Sequence, residues 1–193
     1  MLCIFAFIMD SSFIEHRLSE LKDRKSKNAF LESVMNAPTT SILNVSNGHK
    51  TILFPENKGP KSSTWKQTKQ MAFDLNENGF DVAFLPELLN GVCADSLIRN
   101  GRVFKIADFK YCVTSKANTL SIDLEHGFEQ ANNVVLKLVN MDGGSFKEAF
   151  DYLLRNGIPY GNIILINKYG EVLELSKKEF KTGIYKKRIK GFL

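Results

Sequence analysis

The sequence predicts an α/β fold in which a mixed β-sheet is flanked by helices. Apolar strand-like runs such as "DVAFLPE", "VVLKLV" and "GNIILIN" alternate with amphipathic helical stretches, which is the pattern of strands joined by crossover helices. Two Asn-Gly pairs, Asn47-Gly48 and Asn100-Gly101, sit between β-rich runs and mark hairpins, so part of the sheet must be antiparallel. With 193 residues, 44% of them hydrophobic and 24% charged, the chain is long enough to bury one sizeable core.

The elements follow in order. "MLCIFAFIM" is apolar but has no basic n-region and no A-x-A-like cleavage site, and it is too short to span a bilayer, so no membrane association is expected. Met9 could be the natural start; a buried helical turn is the other reading of these residues. From Ser11 to about Met35, apolar residues from Phe13 to Val34 recur at helical spacing, giving one long amphipathic helix or two short ones. "TTSILNVSNGHKTILF" reads as a hairpin, and the linker-like "PENKGPKSS" places a boundary near Lys61. The expected division is an N-terminal helical region plus hairpin over 1–60 and an α/β domain over 61–193.

In the second region, "STWKQTKQMAFDLNENGF" puts Trp65, Met71, Ala72 and Leu75 on a helical stripe ended by Gly79, with Asp74 and Glu77 expected on the solvent side. "VCADSLIRNGRVFKIADFKYCV" is a hairpin, "NTLSIDLEHGFEQANN" a helix, "VVLKLV" a buried strand and "SFKEAFDYLLRNG" a helix. "GNIILIN" and "EVLEL" are strands around Tyr169-Gly170. No internal repeat or low-complexity segment is present.

Cys3, Cys93 and Cys112 show neither CxxC nor Cys/His metal spacing and are too few for a disulfide framework, which fits a reducing, cytoplasmic compartment. His16, His49 and His126 are scattered, so spacing supports neither a zinc site nor a Cys/His nucleophile pair. The 26 basic and 21 acidic residues leave a formal charge of +5. The surplus gathers in "SKKEFKTGIYKKRIKGFL", where Lys186, Lys187 and Arg188 stand among aromatics. Such interleaving suits a phosphate backbone and stackable bases, or simply a solvated face.

The chemistry-bearing segment is "IADFKYCVTSK", a strand that is apolar apart from Asp108 and Lys110. A two-residue turn at Asn100-Gly101 sets Arg99 opposite Arg102, Ile98 opposite Val103 and Asp95 opposite Ile106. Side chains alternate along a strand, so Asp95, Asp108 and Lys110 share a face, with Asp95 and Asp108 as diagonal neighbours roughly 7–8 Å apart at the backbone. Two carboxylates can hold Mg²⁺, while a lysine beside them keeps them ionised and steadies charge on a phosphate. A plain ion pair on an edge strand remains open as the alternative.

The order "AD" at 94–95, a turn, then "DFK" at 108–110 resembles the PD-(D/E)XK nuclease signature, with alanine in the proline's place. Together with "NENGFDVAFLPE", "SKANTLSIDLEHGFEQANNVVLKL" and "IYKK", it resembles the C-terminal nuclease domain of contact-dependent growth inhibition toxins over about residues 65 to 188. The resemblance implies a restriction-endonuclease-like core carrying an N-terminal helix and hairpin extension. It also implies Asp95 and Asp108 as ligands of Mg²⁺ (or Mn²⁺), with the Phe109 carbonyl completing the coordination. Lys110 would be the catalytic lysine, Gln130 would point toward the site from the following helix, and Lys116 would contact phosphate.

The implied substrate is nucleic acid, tRNA or other structured RNA ahead of DNA, with an inhibitor protein as partner and delivery into another cell if the chain belongs to a toxin system. The family pattern has a glutamate on the helix before the first core strand, where this chain has Thr68 and Gln70; Glu87 could stand in for it. Two other readings follow from that departure: a non-catalytic nucleic-acid-binding module from a degenerate nuclease fold, and a structural protein in which Asp95, Asp108 and Lys110 form a mutually satisfied buried network.

Overall fold

The computed structural model describes residues 11–37, 40–54, 63–85 and 94–193. Helices α1 (Ser11–Glu20) and α2 (Arg24–Met35) precede the hairpin β1 (Ser41–Ser46) and β2 (His49–Leu53); helix α3 (Ser63–Glu77) leads to β3 (Phe80–Phe84) and then to the hairpin β4 (Ser96–Asn100) and β5 (Val103–Cys112). Helix α4 (Ala117–Gln130), β6 (Asn133–Leu138), α5 (Gly143–Arg155), β7 (Asn162–Ile166), β8 (Val172–Leu175), α6 (Lys177–Thr182) and α7 (Tyr185–Ile189) complete the order. The α/β class expected from sequence is what forms, and residues 11–35 make two short helices.

All eight strands join one sheet in sequential order, β1 to β8. The β2/β3, β5/β6 and β6/β7 pairs are parallel and the others antiparallel. The N-terminal hairpin therefore extends the same sheet that carries residues 63–193. Lys61, where the linker-like stretch placed a boundary, lies outside the described residues, as do Met9, Cys3, Cys93 and Glu87.

After their opening asparagines, Asn133 and Asn162, strands β6 and β7 are unbroken apolar runs apart from Lys137, because helices cover both faces of the sheet where they lie. One face packs on α3, with Met71, Ala72 and Leu75 against Val82, Ile98, Ala107, Phe109 and Val135. The other face is covered in two halves. Helices α1 and α2 pack Ile14, Leu31 and Val34 over Ile52, Ala83 and Leu97, while α4, α5 and α7 pack Leu120, Leu124, Phe150 and Tyr185 over Val134, Leu136 and Ile163. Local sequence fixes the helix starts: Asp23 caps α2 by accepting from Ser26 N, and Asp142 caps α5 by accepting from Ser145 N. Ser176 and Glu179 close a capping box on α6, so the basic C-terminal stretch is helical. No helix among the described residues is long and apolar enough to cross a membrane.

Two expectations change. The β4–β5 turn is formed by Gly101 and Arg102, with Asn100 paired to Val103, Arg99 to Phe104 and Ser96 to Ala107. Gly101 carries the positive φ of +56° that the turn needs. The register thus moves two residues from that inferred from Asn100-Gly101. An even shift keeps every side chain on its face, but continuing it one residue brings Asp95 opposite Asp108 itself and no longer diagonal to it. Second, Asp74 is buried, not on the solvent side of α3. Its carboxylate takes Lys137 Nζ at 2.6 Å and Gln70 Nε2 at 3.0 Å, forming an enclosed ion pair between α3 and β6; Glu77 is exposed.

Candidate active site

Asp108 stands at the middle of β5 on the face that α1/α2 and α4 share, at the seam between the two halves of that cover. Its side chain is 1% exposed. Asp95 precedes β4, where its carbonyl accepts from Leu85 N at the end of β3 (3.0 Å) and its carboxylate accepts from Phe109 N (2.9 Å). One end of Asp95 is tied to β3 and the other to β5, so its position is fixed by backbone on two strands.

Lys110 Nζ lies 2.8 Å from Asp108 Oδ2 in an ion pair, and Asp108 Oδ1 has no partner among the described residues. Burial pushes the Asp108 carboxyl up to about 7; the Asp95 charge pushes the same way, and Lys110 only partly opposes them. A buried carboxylate left with an unfilled oxygen beside a second carboxylate is a costly arrangement for a group with no ligand to bind.

Helix α4 closes the site from above. A methyl at Gly127 would stand 2.9 Å from Val134 Cγ2, 3.3 Å from Asp108 Oδ2 and 3.4 Å from Lys110 Cε, so only a residue without a side chain lets the helix backbone sit this close to the pair. One turn earlier, burial raises the Asp123 carboxyl, while the charges of Lys110 and His126 act to lower it. Lys110 is ion-paired with Asp108 of β5, and Asp123 of α4 feels its charge without forming an ion pair with it. Sequence reasoning missed Asp123 and Gly127, though a signal was present. Residues 123, 127 and 130 are spaced by four and three, one stripe of a helix, and Gln130 had already been placed on it.

Gln130 is half-buried at the last position of α4 on that stripe. Lys116 is exposed beyond the end of β5, where its backbone N–H donates to Thr114 Oγ1. The basic trio lies elsewhere, on α7. Arg188 donates to the Glu174 carbonyl at 2.8 Å and pairs with Glu179, and Lys186 lies 3.6 Å from Asp151, so two of the three are engaged within the fold. Tyr185 and Ile189 of α7 pack with α5 over β6 and β7, away from β5. The structure thus gathers Asp95, Asp108 and Lys110, adds Gly127 and Asp123, and leaves Lys186, Lys187 and Arg188 apart. Helix α3, with Thr68 and Gln70, packs on the opposite face of the sheet from the Asp108 carboxylate, and Gln70 is committed to Asp74.

Two carboxylates with an unfilled buried oxygen fit a divalent cation of the Mg²⁺ type, which uses one or two carboxylates and keeps several waters. Among the described residues, no three His, Cys, Asp or Glu side chains group to hold a metal ion, so a cation here would rest on this pair.

What the fold and site define is an α/β protein with an Asp–Asp–Lys cluster built around a buried aspartate on a central strand. No protein-family model matches the chain, and no curated protein does. A solved structure similar to it is the CdiA-CT/CdiI toxin and immunity complex from Burkholderia pseudomallei, at 22% identity and a TM-score of 0.45, with 65% of this chain and 98% of that chain covered.

Proposed function

We propose that the protein is a divalent-metal-dependent nuclease that cleaves RNA in preference to DNA. The observation that carries this reading is Asp108: fully buried, unfilled at one oxygen, and set against a second carboxylate and a lysine. The structural alternative requires mutually satisfied groups, and Asp108 Oδ1 is left without a partner among the described residues. Asp95 and Asp108 would hold Mg²⁺ or Mn²⁺ with the Phe109 carbonyl, and the ion supplies a bound water of lowered pKa and neutralises charge on a phosphodiester. Lys110, held by Asp108, presents its ammonium to the non-bridging phosphate oxygens as negative charge grows on them. Asp123 adds negative charge from α4, and Gly127 leaves the room in which the Lys110 side chain sits. Gln130 would orient water or substrate from the end of α4.

RNA as substrate, an inhibitor protein as partner and action inside another cell are part of the proposal and rest on the toxin-like order of the "AD" and "DFK" motifs. That no third acid groups with the pair as a metal ligand among the described residues favours a second reading, a nucleic-acid-binding module without catalysis. Incubation of the purified protein with total tRNA and with plasmid DNA, with and without Mg²⁺, separates the two. The nuclease reading expects Mg²⁺-dependent cleavage that Asp108→Ala and Lys110→Ala abolish. Cleavage that persists in both variants, or is absent for every substrate, contradicts it.

A further inference from the structure

Four cations with no part in the acidic site gather on the same side of the sheet. Lys22 between α1 and α2, Arg24 and Lys27 on α2, and Arg102 in the β4–β5 turn line a groove of about 330 Å³ whose apolar wall includes Leu31 and Phe104. No acidic side chain lines it. None of the four makes an ion pair with a described residue, whereas neighbouring Arg17 and Arg99 are paired with Glu20 and with Asp81 and Glu32. Like charges brought together without counter-charges repel, and an anion seated among them relieves that repulsion.

The groove opens on the same side of the sheet as the acidic site. Phe104, Ile106 and Asp108 alternate onto one face of β5, and the first two pack at the edge of the α1/α2 cluster. Four residues of strand put Phe104 and Asp108 roughly 13 Å apart. A stacked nucleic-acid strand carries one phosphate per about 3.4 Å, so the distance spans about four phosphates. An apolar wall beside the cations suits sugars and base faces, which an inorganic anion does not offer.

We propose that this groove binds the sugar–phosphate backbone of a nucleic-acid strand, on the side of the sheet that carries the acidic pair. The placement of the scissile bond rests on the nuclease reading; the groove as a nucleic-acid surface does not. An acidic protein would match the charge but not the pairing of cations with an apolar wall sized for sugars and base faces.

The test is fluorescence anisotropy of a labelled single-stranded RNA oligonucleotide across a KCl series. It compares the full chain carrying Asp108→Asn with the same chain also carrying Lys22→Gln, Arg24→Gln, Lys27→Gln and Arg102→Gln. Circular dichroism establishes that both are folded. Single strands lose about 0.7 in the slope of log K against log[salt] per phosphate contact removed, so the slope should fall by roughly 2–3. An unchanged slope, or no RNA binding by the parent, overturns the proposal. So does poly-glutamate binding as tightly as RNA, which would make the groove a protein-docking surface. Cleavage by the chain with native Asp108, measured in parallel with and without the four substitutions, keeps the two readings distinct. Groove-dependent RNA binding without cleavage supports the groove and sinks the nuclease; cleavage and binding that both ignore the four substitutions do the reverse.

Discussion

Replacing Asp108 with asparagine should stabilise the metal-free protein at alkaline pH, although it removes half of an ion pair. The Asp108 carboxyl is moved from an ordinary 3.8 to about 7, chiefly by burial and then by Asp95. Because the folded-state value is the higher one, the folded protein binds the extra proton, and stability falls as pH rises from about 4 through 7. One pKa unit corresponds to about 1.4 kcal/mol, so the full loss above pH 7 is on the order of 4 kcal/mol, with roughly 2–3 kcal/mol of it falling between pH 5 and pH 8. The asparagine side chain does not titrate and escapes that loss, though Lys110 then loses its ion-pair partner.

The measurement is urea unfolding of wild type and Asp108→Asn in EDTA at pH 5 and pH 8. The difference in unfolding free energy should move toward the variant by roughly 2–3 kcal/mol between the two pH values, which for a chain of this size is about 4–12 °C in melting temperature. Addition of Mg²⁺ at pH 8 should raise the wild type and leave the variant unmoved, since a ligand stabilises only the state that binds it. A difference that is flat with pH, or that moves toward the wild type, would refute the claim that Asp108 is held in an unfavourable charged state.

Three further outcomes are expected. Gly127→Ala gains helix propensity of about 1 kcal/mol but presses a methyl onto Val134, Asp108 and Lys110, so thermal unfolding should show a net loss of about 1–2 kcal/mol and cleavage rate should fall at least tenfold. Lys137→Met strands a buried carboxylate at Asp74 and should cost about 3–5 kcal/mol in urea unfolding, most of it recovered in Lys137→Met/Asp74→Leu. Because that pair lies across the sheet from Asp108, the double variant should keep its cleavage rate. Ser176→Ala breaks the capping box of α6 and should lower unfolding free energy by about 1 kcal/mol without changing RNA binding.

Local patterns were the legible part of this chain. Alternation in "IADFKYCV" put Asp108 and Lys110 on one face, and because the true register differs by an even number of residues, Asp95 stayed on that face as well. The turn chemistry itself was ambiguous, since Asn100-Gly101 and Gly101-Arg102 both offer a two-residue loop. Asp74 could not be placed from its helix alone, because its burial depends on Lys137, 63 residues further along and on another strand. The same holds for Asp123 and Gly127, whose proximity to Lys110 follows from how α4 lies across β5. The basic groove was hidden for the opposite reason: Lys22, Arg24 and Lys27 are ordinary helix-surface cations until the sheet brings Arg102 beside them.

The acidic pair is tested most directly by a crystal of the protein soaked in Mn²⁺, with anomalous data collected at the manganese edge. The proposed site predicts an anomalous peak between Asp95 and Asp108, with Lys110 still beside Asp108. A crystal in which Lys110 alone fills that space and no peak forms between the two carboxylates contradicts it.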